Sequence, residues 1–146
     1  MLYLVLDTNV WVSGIISPNS PPAELLRLWQ LRTFELVSCQ QAMDDLAEVL
    51  SRPHLVEKYH ILPAKREVLL ALIDERVLKV PGNSIQGIVK DDPKDDMFVA
   101  CAVEGQVKYV ISGDKHLLGL RRYQQIRMMK PAYFLALLRR CQRRYT

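Results

Sequence analysis

The chain has 146 residues, of which 49% are hydrophobic and 25% are charged, and its formal net charge at pH 7 is +4. A length in this range is typical of one domain, and the hydrophobic content excludes a globally disordered chain. The mild positive charge is compatible with a nucleic acid partner but does not identify one.

The cysteines and the N-terminus bear on the compartment. Cys39, Cys101 and Cys141 are far apart and odd in number, so they match neither a disulfide framework nor a zinc motif. Asp7 interrupts the first apolar run, no basic region precedes it, and no apolar stretch approaches the roughly 20 residues that cross a membrane. We therefore predict a cytoplasmic protein without a membrane segment.

The first predicted element is a strand at residues 2–6. Its five consecutive apolar residues are typical of a strand that is buried on both faces of a parallel sheet. Asp7 would lie at the carboxyl end of this strand, where ligands collect in open α/β sheets. The alternative is that Asp7 only caps the next helix.

Helices and short strands alternate through the next seventy residues. Ser20 is a predicted helix cap because Pro21 and Pro22 suit a first turn. Pro53 ends or restarts a helix, and residues 54–59 are ambiguous. The predicted helices cover residues 10–16, 21–32, 40–51 and 63–75, and the predicted strands cover residues 34–38 and 77–80.

The remaining chain begins with an irregular segment, residues 81–92, which its turn residues predict to be a loop. Asp92 would cap the helix that follows, with Pro93 at its first position, and Gly105 would end it. The last predicted elements are strands at residues 108–112 and 125–128 and a helix that opens at Pro131.

This alternation predicts an α/β fold. The strands would form a central, mostly parallel sheet between two layers of helices, which is a three-layer α/β/α sandwich. We found no internal repeat, low-complexity tract or linker, so we expect residues 1–146 to form a single domain.

Four acidic residues stand out by position. Asp7 and Asp114 each follow a predicted strand, although Asp114 could also cap a short helix. Asp96 heads an otherwise apolar stripe of a buried helix, where an unpaired charge is unfavourable. Glu48 points away from the apolar face of its helix, and by pattern alone it is a solvated surface residue.

Carboxylates that converge at strand ends repel one another, by roughly 4 kcal/mol for a pair at ~4 Å and an effective dielectric of ~20. Such a cluster takes up protons or binds cations. With only carboxylate oxygens available, the cation should be Mg²⁺ or Mn²⁺. A hard cation polarises phosphoryl oxygens and activates water, so the cluster suits cleavage of phosphodiester bonds.

These features together resemble the PIN domain family. The resemblance rests on Asp7-Thr8-Asn9 after the first strand, an acid in a mid-chain helix, the run from Asp96 to Ala102, and the run from Ile111 to Lys115. Many members of this family are metal-dependent ribonucleases, including the toxins of VapC-type toxin–antitoxin pairs. The resemblance covers nearly the whole chain and implies an endoribonuclease that is a homodimer and is neutralised by an antitoxin protein.

The resemblance also implies roles for single residues. Ser112 would orient the first carboxylate, and Asn9 would be a polar neighbour of the site. The implied catalytic and metal-binding acids are Asp7, Glu48, Asp96 and Asp114.

Two of these assignments have competitors. Asp95 adjoins Asp96, and helix phase favours Asp96, while Asp92 and Asp95 are interpreted as first-turn acids that suit the helix dipole. Asp44 and Asp45 compete with Glu48, which is favoured only by the family spacing before Ser51-Arg52-Pro53.

Basic residues near the C-terminus are candidates for contacts with RNA phosphates. The alternative is that arginines at a helix end complement its dipole. The candidates are Arg121, Arg122, Arg139 and Arg140, followed by Arg143 and Arg144.

Two other functions compete with the ribonuclease. A nucleic-acid-binding module without turnover would need the basic surface but not the acids. An aspartate-based phosphoacceptor domain also places acids at strand ends, but it needs a lysine partner, and Lys115 is the only near candidate.

Overall fold

A computed structural model describes residues 1–90 and 92–143, and Arg144 lies outside the described residues. The strands are β1 Tyr3–Leu6, β2 Glu35–Ser38, β3 Leu78–Lys79, β4 Tyr109–Ile111, β5 Arg122–Tyr123 and β6 Ile126–Met129. The helices are α1 Thr8–Ile16, α2 Pro21–Gln30, α3 Gln40–Leu50, α4 Pro53–Tyr59, α5 Pro63–Arg76, α6 Asp96–Glu104, α7 Lys115–Leu120 and α8 Pro131–Arg143, with a 3₁₀ turn, Pro93–Asp95, before α6.

The strands form one sheet in the order β3-β2-β1-β4-β6-β5. All pairs are parallel except β5 with β6. In the pair of β1 with β4, Leu6 lies opposite Ile111, so the residues that follow these two strands are neighbours at the carboxyl edge of the sheet. The predicted α/β fold with a central, mostly parallel sheet is confirmed.

Alternating residues of the strands fill two cores. Leu4 and Leu6 face one core together with apolar residues of α1, α2, α3, α5 and α8. Val5 and Val110 face the second core, which is built mainly from α6 and α7. The central strands β1 and β4 are therefore covered on both faces, which explains the unbroken apolar run at the start of the chain.

Several local predictions needed correction. Residues 54–59, ambiguous by pattern, lie in α4, and the edge strand β5 was missed because two residues carry no periodic signal. Asp92 precedes the 3₁₀ turn but makes no side-chain cap hydrogen bond, so its predicted capping role was wrong. That residues 1–146 form a single domain stays a prediction. No helix of the described residues combines the length and hydropathy needed to cross a bilayer.

The loop that precedes α6 is held by a carboxylate at the far end of that helix. Glu104 accepts hydrogen bonds from the backbone N–H groups of Gly82, Asn83 and Ser84 at 2.7, 3.1 and 3.2 Å. Gly82 has a positive φ of 72°, and an added Cβ would lie 2.7 Å from the Cys39 side chain. Only glycine suits this close approach.

Candidate active site

Asp7 is buried at the carboxyl end of β1, with 3% of its surface exposed. Its Oδ1 accepts a hydrogen bond of 2.8 Å from the backbone N–H of Val10, so Asp7 does cap α1. Its Oδ2 accepts a hydrogen bond from the Ser112 hydroxyl. The capping alternative and a position in an acidic cluster are therefore compatible.

Ser112 joins the ends of β1 and β4. It is fully buried, donates to Asp7, and accepts a hydrogen bond of 2.9 Å from the backbone N–H of Asp114. The hydroxyl thus fixes the orientation of the Asp7 carboxylate, which is the contact that the resemblance implied.

Asp114 caps α7, because its Oδ1 accepts hydrogen bonds from the backbone N–H groups of His116 and Leu117 at 2.7 and 3.4 Å. The same residue belongs to an acidic cluster. One carboxylate oxygen from each of Asp92, Asp95 and Asp114 lies within 4.8 Å of the other two.

Asp95 is the most strongly perturbed acid of this cluster. Burial, followed by the charges of Asp92, Asp114, Asp7 and Asp45, raises its pKa to about 7. Its Oδ2 is buried and has no hydrogen-bond partner among the described residues. A buried carboxylate oxygen without a donor is unfavourable, and a cation would compensate it.

Asp7 is also perturbed. Burial raises its pKa to about 6, the hydrogen bonds from Ser112 and Val10 act in the opposite direction, and the charge of Asp114 raises it further. The raised pKa values of Asp7 and Asp95 favour the protonated form of both acids at pH values where isolated carboxylates are ionised.

Helix α3 contributes Asp45 to this space. The Thr8 hydroxyl donates to Asp45 Oδ2 at 2.6 Å, which brings α3 against the start of α1. The Asp45 side chain is 23% exposed, and the Lys94 ammonium lies 3.9 Å from its Oδ1. The sequence analysis named Asp45 only as an alternative to Glu48. The contact between Thr8 and Asp45 joins residues 37 positions apart and leaves no local signal in the sequence.

The structure does not bring Glu48 into the cluster. Its side chain is 61% exposed and forms an ion pair of 3.0 Å with Arg52, one turn further along α3. The hydrogen bond from Arg52 lowers the pKa of Glu48. This is the solvated surface position that the residue pattern had indicated before the family spacing was considered.

Asp96 also points away from the cluster. Its two oxygens accept hydrogen bonds from the backbone N–H groups of Gly87, Ile88 and Val89 at 2.9, 3.1 and 2.8 Å. Asp96 is 7% exposed, and these three donors explain how its charge is tolerated there. Its neighbour Asp95, which the sequence analysis interpreted as a first-turn acid that suits the helix dipole, is the one that lies near the other carboxylates.

We therefore expect Asp96→Asn to lower the free energy of unfolding by about 1.5–3 kcal/mol, because the amide loses charge-assisted hydrogen bonds to the loop. Urea denaturation of the metal-free protein would measure this loss, with Glu48→Gln as the surface control. A stable Asp96→Asn protein that fails to bind Mn²⁺ would instead make Asp96 a metal ligand.

Asn9 and the predicted arginines occupy different parts of the surface. Asn9 is exposed and lines a cavity of about 310 Å³ together with Gly113 and Lys130. Arg139 lines a different cavity beside α2, on the side of Glu24. Arg121 and Arg122 are exposed at the edge of the sheet, and Arg140 is exposed on α8.

The donor set fits a hard divalent cation. Asp92, Asp95 and Asp114 offer carboxylate oxygens, and Asp7 and Asp45 lie close enough to raise the pKa of Asp95. Oxygen ligands without imidazole or thiolate suit Mg²⁺ or Mn²⁺ rather than zinc. The buried Oδ2 of Asp95, which accepts no hydrogen bond from the described residues, is the observation that favours a bound cation here.

Comparison with known proteins adds independent findings. A family model described as PIN domain matches residues 3–116. The uncharacterized protein MJ1680 of Methanocaldococcus jannaschii is 30% identical over 122 residues, which cover 81% of this chain and 74% of that protein.

Two solved structures share the fold at low sequence identity. FitAcB from Neisseria gonorrhoeae has a TM-score of 0.55 and 18% identity, over 89% of this chain and 99% of that chain. FitAB bound to an IR36 DNA fragment has a TM-score of 0.54 and 17% identity, over 88% of this chain and 94% of that chain.

Proposed function

The chain belongs to the PIN domain family, and from this premise we propose that it is an endoribonuclease that uses Mg²⁺ or Mn²⁺ to hydrolyse RNA. Members of this family are generally nucleases. The observation that supports the proposal best is the convergence of Asp92, Asp95 and Asp114 beside the buried Asp7. One buried oxygen of Asp95 also has no hydrogen-bond donor in the part of the chain that the structure describes.

We propose Asp7, Asp45, Asp95 and Asp114 as the catalytic acids, with Asp92 as a further metal ligand. Asp95 and Asp45 take the roles that the resemblance implied for Asp96 and Glu48. Glu48 is an exposed partner of Arg52, and Asp96 anchors a loop.

The residues of the chain prepare the site in three ways. Ser112 holds the Asp7 carboxylate in one orientation. Asp7 and Asp114 each accept hydrogen bonds from backbone N–H groups at the start of a helix. The positive ends of the α1 and α7 dipoles offset part of the negative charge of these two carboxylates. A divalent cation on these carboxylates would supply polarisation of the phosphoryl oxygen and activation of water. It would also reduce the repulsion between the acids and an RNA phosphate.

Removal of metal tests the proposal. We expect protein dialysed against EDTA to leave a labelled single-stranded RNA intact, and we expect added Mn²⁺ or Mg²⁺ to restore cleavage. Gel analysis of time courses would measure this, with Asp7→Asn purified identically to control for contaminating ribonuclease. Cleavage that persists in EDTA would contradict the role of metal, and cleavage of a DNA of the same sequence in preference to RNA would contradict the substrate.

A nucleic-acid-binding module without turnover is the second candidate function. The raised pKa values of Asp7 and Asp95 argue against it, because a binder gains nothing from acids that repel both each other and RNA. Such a module would bind RNA without a carboxylate-dependent Mn²⁺ site, which isothermal titration would detect.

We further propose that the protein is the toxin of a toxin–antitoxin pair and forms a homodimer. This proposal rests on the resemblance to VapC-type toxins and on apolar side chains that are exposed on α5 and at the residue before it. Leu62, Val68 and Leu72 are 55%, 62% and 59% exposed, and exposed apolar groups of this kind mark surfaces that other proteins cover. Light scattering should give twice the monomer mass, and a monomer at high concentration would contradict the dimer.

A further inference from the structure

A basic groove runs between β6 and α8. It encloses about 430 Å³, and its lining carries three cations, Arg127, Lys130 and Arg140, and the aromatic residue Tyr133. No acidic side chain of the described residues lines it. The groove is therefore complementary to an anion with an aromatic part.

Helix α8 presents one of its faces to this groove. Tyr133, Leu137 and Arg140 follow one another at helical spacing and share this face, whereas Phe134 and Leu135 are buried in the core on the other. The Tyr133 side chain is 68% exposed, so its ring is not needed to fill the core. An exposed ring beside cations is available to stack on a planar ligand.

The positive charges of this surface are not neutralised within the described residues. Arg122 lies directly opposite Arg127 in the antiparallel pair of β5 with β6, where like charges on one face are destabilising. Neither arginine forms an ion pair with a described carboxylate, and the same holds for Lys130 and Arg140. An anionic ligand would remove this repulsion.

The groove adjoins a second cavity, which lies beside the segments that carry Asp7 and Asp114, because Lys130 lines both. The backbone N–H of Ser112 donates to Met129 O at 3.0 Å, and Lys130 follows Met129 directly. Lys130 also lines the cavity that contains Asn9 and Gly113, which flank the Asp7 and Asp114 segments. The cations of the groove and the neighbours of Asp7 and Asp114 thus lie on adjoining surfaces that one extended polymer could contact.

We propose that this groove binds the part of a single-stranded RNA that adjoins the scissile phosphate, with one base stacked on Tyr133 and the neighbouring phosphates paired with Arg122, Arg127, Lys130 and Arg140. The inference rests on the proposed ribonuclease function and names the form of its substrate. Stacking on a protein ring requires an unstacked base, which a single strand offers and a duplex does not.

Binding measurements test this inference. Fluorescence anisotropy with a labelled 12-nucleotide RNA would be carried out in the Asp7→Asn background with Mn²⁺ present, so that the probe stays intact. We expect Tyr133→Ala to weaken binding about tenfold and Tyr133→Phe to retain it, because stacking needs only the ring. Arg140→Gln should reduce by about one the number of ions released on binding, which is read from the slope of log Kd against log salt concentration. The control Lys65→Gln, at an exposed position on α5, should leave this slope unchanged.

The outcomes separate this inference from the proposed function. In the otherwise native protein, Tyr133→Ala should raise KM with kcat unchanged. If the wild-type protein cleaves RNA but Tyr133→Ala and Arg140→Gln cleave and bind like it, the groove assignment is wrong and the nuclease stands. If the wild-type protein does not cleave RNA, the nuclease proposal fails whatever the groove binds. Equal affinity for a duplex of the same sequence, or variants that change only the oligomeric mass, would also overturn the groove assignment.

Discussion

Replacing Asp7 by Asn should reduce RNA cleavage by about 100-fold or more without unfolding the protein. The amide oxygen can still accept the hydrogen bond from Val10, and the amide NH₂ can donate to the Ser112 hydroxyl, so both the helix cap and the link to β4 can persist. What is lost is a negative charge beside the proposed metal site, and electrostatic groups at a reacting centre commonly contribute factors of about 10²–10³. Single-turnover cleavage at saturating Mn²⁺ would measure the effect.

Helix α3 provides a matched pair of controls for this result. Asp45→Asn should also reduce cleavage strongly, because Asp45 lies close enough to raise the pKa of Asp95. Glu48→Gln, less than one turn away, should leave cleavage within about twofold of wild type, because Glu48 is exposed and paired with Arg52. The reverse order of effects would restore Glu48 to the site and contradict our assignment.

Asp95→Asn should stabilise the metal-free protein at pH 8 by about 1–2 kcal/mol. The folded-state pKa of Asp95 is about 7, against 3.8 for the ordinary group, so the folded state binds the extra proton between these values. The contribution of Asp95 to the free energy of unfolding therefore falls as the pH rises from about 4 through 7. Above pH 7 its destabilising effect is complete. We expect a smaller gain in the free energy of unfolding than the pKa difference alone would give, because Asp95 is only half-buried and solvent screens the charges.

The same substitution should have the opposite effect when metal is present. Mn²⁺ should raise the Tm of the wild-type protein, because a cation that binds the folded state alone stabilises it by mass action. Asp95→Asn should lose most of this increase. Differential scanning calorimetry at pH 5, 6.5 and 8, with and without Mn²⁺, would measure both effects. A metal-free Asp95→Asn protein that is less stable than wild type at pH 8 would show that the cluster is not under electrostatic strain.

Some site residues could be predicted because their positions depend on strand ends. Asp7 follows an unbroken apolar run, and Asp114 follows the run that ends at Ile111, so a parallel sheet brings these segments to one edge. Ser112 belongs to the same strand end. This part of the site follows from local patterns and from the rule that parallel strands end at the same edge.

The acids on helices could not be assigned from periodicity. The 3₁₀ turn at Pro93–Asp95 changes the angular spacing just before α6, so helix phase favoured Asp96 although Asp95 faces the cluster. The three loop N–H groups that satisfy Asp96 are seven to nine residues earlier in the chain and carry no sequence signal. An acid on an apolar stripe was correctly seen to need partners, but they were backbone donors rather than a cation.

The groove was missed for a similar reason. Arg122 and Arg140 were singled out as basic residues, but Arg127 and Tyr133 read as ordinary strand and helix residues. Their alignment requires the register of β5 with β6 and the docking of α8, which are tertiary features.

Anomalous diffraction from crystals soaked in Mn²⁺ would test the central claim most directly, since it locates the cation rather than an effect of it. Our account predicts a manganese peak within bonding distance of the Asp95 and Asp114 carboxylates, next to Asp7, that disappears in Asp95→Asn crystals. A peak held instead by Glu48 or Asp96, or none at saturating Mn²⁺, would contradict it.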